Sequence, residues 1–123
     1  MLRKENQTLN NFNGTLLWKD LPILDFCIER GKVLKWEMHP ENEDYYPIEF
    51  TYNATVYGLQ DFIDCRIVPI TRQNLQRVLK DLGLKEYSWD GIIRANYRLC
   101  TDDCYWFRQD GSNLKYDDIK IRD

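Results

Sequence analysis

The segment Thr71–Gly83, TRQNLQRVLKDLG, constrains the fold more than any other part of the chain. Leu75, Val78, Leu79 and Leu82 recur at i, i+3, i+4 and i+7 and so share one face of a helix, while Arg72, Gln73, Gln76, Arg77, Lys80 and Asp81 take the other. Thr71 is placed to cap the first turn through its hydroxyl, and Gly83 to enter the left-handed conformation that ends a helix. Each buried aliphatic side chain contributes about 1.5–3 kcal/mol, so the stripe needs an apolar surface to lie on. The flanking chain has to supply it.

Composition allows that. At 123 residues the chain has the size of one domain, and its 43% hydrophobic and 14% aromatic content is too rich for disorder. Residues 1–14 are polar and rich in asparagine, which predicts a flexible arm ahead of a single domain over 15–123. Leu16–Trp18, Ile23–Ile28 and Val33–Met38 are apolar runs separated by Lys19-Asp20 and by the turn Glu29-Arg30-Gly31-Lys32, so they read as an antiparallel meander. In the third run, Val33, Lys35 and Glu37 alternate with Leu34, Trp36 and Met38, which predicts one wet and one dry face.

The polar stretch His39–Tyr46, with a proline near its start, reads as a surface connection to Pro47–Tyr52, which is expected to re-enter as a fourth short strand. Val56, Leu59, Phe62 and Ile63 carry helical spacing behind a cap at Asn53 or Thr55, and Pro69 separates that helix from the next. Ser88 is placed to cap a third helix through Trp89, Ile92, Ile93 and Tyr97. Tyr105-Trp106-Phe107 reads as an aromatic strand, followed by a turn over 109–113 and a last segment, LKYDDIKI. The expected class is α+β: a small N-terminal antiparallel sheet packed with about three short helices and a C-terminal aromatic strand.

No stretch has the length of a membrane span and the first residues lack the apolar core of a signal peptide, so the expected setting is cytoplasmic. Cys27, Cys65, Cys100 and Cys104 are then expected to be reduced, and a single C-x-x-x-C beside one distant His39 lacks zinc-site spacing. His39 has no neighbouring nucleophile in sequence, Asp102-Asp103 and Asp117-Asp118 read as turn or cap residues, and no glycine-rich phosphate loop occurs. No cofactor and no catalytic residue is expected. A net charge of −3 argues against a phosphate-neutralising nucleic-acid binder. The charges still segregate, with Glu41, Glu43 and Asp44 in the segment before the helices and Arg66, Arg72, Arg77, Arg94 and Arg98 in or beside them. Solvated surface is the simpler reading of both groups. The functional reading makes Glu41, Glu43, Asp44, Arg72, Arg77, Arg94 and Arg98 contacts for a protein partner.

Several short runs point the same way. Asp103, Tyr105 and Trp106, then Gly111, Ser112, Leu114, Lys115, Asp118 and Ile119, match a collinear pattern, as do Leu16, Lys19, Asp20, Leu21, Pro22, Ile23 and Asp25, and Pro69, Arg72 and Leu75. With that order and spacing the chain resembles the N-terminal module of bacterial HipA-like proteins, which precedes a serine/threonine kinase-like domain. The resemblance implies a non-catalytic interaction module, with a kinase-like toxin or an antitoxin as partner. The chain stops at Asp123, before the kinase-like portion, so phosphoryl transfer is not expected. Cys100, Thr101 and Cys104 depart from the small or polar residues usual there. A phage or mobile-element inhibitor of a host defence system, such as an anti-CRISPR protein, and a small nucleic-acid-binding regulator are the alternatives.

Overall fold

The computed structural model describes residues 8–100 and 103–119. Residues 1–7 of the expected arm, Thr101, Asp102, and the 120–121 end of the last segment lie outside the described residues. Strands β1 (Asn11–Trp18), β2 (Leu21–Glu29), β3 (Lys32–Met38) and β4 (Tyr105–Gln109) form one antiparallel sheet in the order β3-β2-β1-β4. Helices α1 (Ile48–Tyr52), α2 (Val56–Asp64), α3 (Leu75–Asp81), α4 (Trp89–Ala95) and α5 (Tyr116–Ile119) complete an α+β fold. Among the described residues no helix is long and apolar enough to cross a membrane.

The meander forms where the apolar runs place it, and Arg30 (φ 52°) with Gly31 (φ 77°) makes the left-handed two-residue turn between β2 and β3. Alternation puts Phe12, Leu16, Leu24, Phe26, Ile28 and Phe107 on one sheet face. Against it pack Phe50 of α1, Leu59, Phe62 and Ile63 of α2, Leu79 of α3, and Trp89, Ile92 and Ile93 of α4. Aromatic rings carry much of this core: Phe12 stacks on Phe26 at 5.3 Å, and Phe107 meets Phe26 and Phe62 edge-on at 6.1 and 6.0 Å. On the opposite face Leu17 and Trp106 are buried, and the Trp106 indole N–H donates to the Lys19 carbonyl at 2.6 Å. Gly14 lets β1 and β4 approach within the sheet, because a Cβ there would lie 2.2 Å from the Arg108 carbonyl oxygen.

Several expectations change. The expected arm is already structure by residue 9: Leu9 and Phe12 are in the core, and Asp90 accepts the backbone N–H groups of Asn10 and Asn11 at 2.9 and 3.1 Å. Ile48–Tyr52, behind Pro47, is the helix α1, not a strand, and within it Phe50 is the residue that turns inward. The helix α3 begins at Leu75 behind Asn74, not at Thr71, because turn bonds from Arg72 N–H to Pro69 and from Leu75 N–H to Arg72 occupy the preceding residues. Its far end is as expected. Gly83 has φ 77°, and the Leu84 N–H reaches back to the Leu79 carbonyl at 2.8 Å, a left-handed cap that closes the helix. Of its stripe only Leu79 is fully buried; Leu75 and Leu82 are half-buried at the margin of the core, and Val78 is half-buried beside a cavity. Thr55 and Ser88 cap α2 and α4 as the sequence indicates, but α4 ends at Ala95, and the Tyr97 carbonyl instead accepts the Phe107 N–H on the outer side of β4.

Candidate protein interface

Pro47-Ile48-Glu49-Phe50-Thr51-Tyr52 alternates like a strand, yet as a helix it sorts its side chains differently. Residues i and i+4 share a helix face, whereas i+2 points away from both. Phe50 therefore enters the core, and Ile48 and Tyr52 are left outside at 63% and 85% exposure. Tyr57, in the first turn of α2, is 67% exposed. The Thr55 hydroxyl accepts the Tyr57 N–H and sets the entry of that helix directly after α1. Large side chains standing in water on two consecutive helices are the composition expected of the centre of a protein-binding surface.

The acidic residues come just before these helices in the chain. Glu41, Glu43 and Asp44 lie exposed on the short 3-10 turn Pro40–Tyr45 that leads into α1, and Tyr45 at its end stacks on Trp18 at 4.4 Å. The turn is fixed to the sheet through Asn42, whose amide donates to the Pro22 carbonyl at 2.8 Å, and through His39. His39 Nε2 lies 2.7 Å from Asp25 and Nδ1 lies 3.0 Å from Glu41, while Asp25 also accepts the Thr15 hydroxyl. Burial pulls the His39 imidazole down, but its hydrogen bonds to Asp25 and Glu41 and their charges outweigh this and hold it above its ordinary value. Burial likewise raises Asp25, and bonds from Thr15 and His39 with the charges of His39 and Lys35 bring it below its ordinary value. Both ring nitrogens are thus engaged by carboxylates, and the only hydroxyl in the chain of bonds faces Asp25, not the imidazole.

The arginines separate. Arg98 is buried, not on a solvated helix face; it donates to the Asp103 carbonyl at 2.6 Å and lies over the Tyr116 ring at 5.5 Å. Arg66 bonds Glu49 at 3.2 Å and Asp103 at 3.0 Å and stacks on Phe62 at 4.0 Å. Arg94 is exposed and donates to the Asn11 carbonyl. Arg72 bonds Asn74 at 2.9 Å at the rim of a cavity of about 390 Å³ between α3 and α4, and Arg77 is exposed on α3. Four of the five, all but Arg77, are therefore in internal bonds that a ligand would have to break or share, and Arg66 and Arg98 are the two of them that are not exposed.

A second apolar feature lies along β3. The ladder slips between Cys27 and Ile28, so Val33 opposes Ile28 and joins Trp36 and Met38 on the core face, while Leu34 is left at the bulge, 61% exposed. The simple alternation read from the sequence fails there. Val33 and Trp36 with Ala54, Thr55 and Val56 line a groove of about 270 Å³ between the strand and the start of α2. Among the described residues no three His, Cys, Asp or Glu side chains are grouped to hold a metal ion. Ile48, Tyr52, Tyr57 and Leu34 are not singled out by the sequence pattern; the signal for the first two is Pro47, a helix-starting residue as much as a strand-starting one. No family model matches the chain, and neither the curated proteins nor the solved structures contain a significant match to it.

Proposed function

We propose that the chain is a non-catalytic protein-binding module whose contact surface is the exposed face of α1 and α2, with the acidic turn Pro40–Tyr45 as its margin. The observation that carries this is the exposure of Ile48, Tyr52 and Tyr57 on adjoining helices beside Glu41, Glu43 and Asp44. Tyrosine supplies large contact area at small entropic loss, and a charged rim around an apolar centre selects a partner with a basic margin. The engagement of both His39 nitrogens supports the non-catalytic reading, since no free imidazole nitrogen remains to act as a base.

The partner proposed is a kinase-like toxin subunit or its antitoxin, on the resemblance of the chain to the N-terminal module of HipA-like proteins. Affinity capture from the native host tests it, run in parallel with an Ile48→Ser, Tyr52→Ser, Tyr57→Ser variant. Recovery of a kinase-like subunit by the wild type and its loss from the variant is the expected result. Recovery of a defence nuclease would favour the inhibitor reading, and retention of DNA or RNA at low salt would favour a nucleic-acid regulator.

A further inference from the structure

Both ends of the sheet present edge strands, but they are finished differently. On β4 the Phe107 N–H is bonded to the Tyr97 carbonyl, so the segment after α4 covers that edge. Along β3 no backbone bond reaches Lys32–Met38 from outside the sheet among the described residues, and Lys32, Val33, Leu34, Lys35 and Glu37 are all exposed. An open strand of this kind is a template for a further strand.

The charges on β3 indicate which strand. Lys35 opposes Cys27 and Glu37 opposes Asp25, so both point to the sheet face away from the core, while Trp36, opposite Phe26, points to the core face beside the apolar groove. Pairing β3 antiparallel with another β3 about a two-fold axis at Trp36 sets Lys35 of each copy against Glu37 of the other. It also sets Trp36 against Trp36 and brings the two grooves, each walled by Trp36, alongside one another. An axis at Lys35 would oppose lysine to lysine, and one at Glu37 would oppose glutamate to glutamate; like charges directly opposite are unfavourable. An axis at Leu34 falls on the bulge. One register is therefore self-complementary in charge and in apolar contact.

We infer that β3 is a self-association edge: a second copy of this chain pairs with it antiparallel about Trp36, held by reciprocal Lys35–Glu37 pairs, to give one sheet continuous through both copies. The inference is independent of the partner surface on α1 and α2 and does not require it.

Sedimentation velocity over a concentration series tests it with the full chain, its Lys35→Glu and Glu37→Lys variants, and the double exchange. Both side chains are exposed, and circular dichroism checks that each variant keeps its fold. The expected result is a concentration-dependent dimer that weakens roughly tenfold or more in each single variant, where like charges now face each other twice, and recovers in the double exchange. A wild type that stays monomeric up to about millimolar concentration overturns the inference. So does a dimer indifferent to both single variants, or one that the double exchange fails to restore, since either places the contact in another register or on another surface.

Discussion

His39 Nε2 lies 2.7 Å from Asp25 Oδ2, and this contact ties the acidic turn at Pro40–Tyr45 to the centre of the sheet. Because the folded state holds the imidazole above its ordinary value, its contribution to stability is fully present below about pH 6.5 and is lost as pH rises through the folded value. Asp25 has the opposite sign: held low, it contributes above its ordinary range, and that contribution is lost as pH falls through the folded value. The clasp is therefore strongest in mildly acidic solution. Thermal unfolding followed from about pH 6 to pH 9 is expected to show a falling midpoint, and His39→Gln is expected to flatten that fall. A midpoint that rises with pH across this window would contradict the geometry.

Asp90 of α4 holds the start of β1. It is buried, and burial raises its carboxyl above the ordinary value although the Asn10 and Asn11 N–H groups and Arg94 act to lower it. Asp90→Ala leaves two backbone donors without their acceptor, and the expected loss is about 1–3 kcal/mol. Urea unfolding measures the loss, and faster hydrogen exchange at Asn10 and Asn11 localises it. Unchanged exchange there would show that the segment is held by something else.

Gly58 sits in α2, where helix propensity alone would favour alanine by about 1 kcal/mol. The Cβ of an alanine would lie 1.8 Å from the Asn53 carbonyl oxygen and 3.2 Å from the Phe50 ring. The contact wins, because the close atom is backbone and overpacking of this kind destabilises by about 1–3 kcal/mol. Gly58→Ala is expected to lower stability in denaturant titration; a stabilised variant would mean that α1 and α2 are not joined this closely.

Arg66 binds Glu49 of α1 and Asp103 before β4 with different nitrogens while stacking on Phe62. A lysine keeps the charge but not the fork, so it can serve one carboxylate and loses the planar stacking. Arg66→Lys is expected to cost about 1–3 kcal/mol in urea unfolding, as the loss of a hydrogen bond to a charged group does. Stability equal to the wild type would reduce Arg66 to a plain surface charge.

The sheet was legible in the sequence wherever period and punctuation agreed. Gly31 between two apolar runs and the hydroxyls of Thr55 and Ser88 ahead of helical spacing are local signals with local causes, and the structure follows each. Ile48–Tyr52 was not legible, since five residues with Ile48, Phe50 and Tyr52 at alternate positions satisfy a strand pattern as well as one turn of helix does. The asparagine-rich approach to β1 hid a strand because its anchors are non-local: Leu9 and Phe12 in the core and the carboxylate of Asp90. The bulge that exposes Leu34 is a property of the β2–β3 ladder and is absent from either strand taken alone. The proposed interface was half-visible for the same reason. Glu41, Glu43 and Asp44 stand out as charge, but the apolar centre beside them exists only once α1 is a helix.

Oxidative footprinting of tyrosines, combined with hydrogen exchange, on the chain alone and with its captured protein partner is the most direct test of the binding surface. Protection is expected at Tyr52 and Tyr57 and across the turn carrying Glu41, Glu43 and Asp44, with Arg72 and Arg77 on the α3 side unchanged. Protection confined to the segment from Arg72 to Arg94, with Tyr52 and Tyr57 still oxidised at their free rate, would contradict the proposed surface.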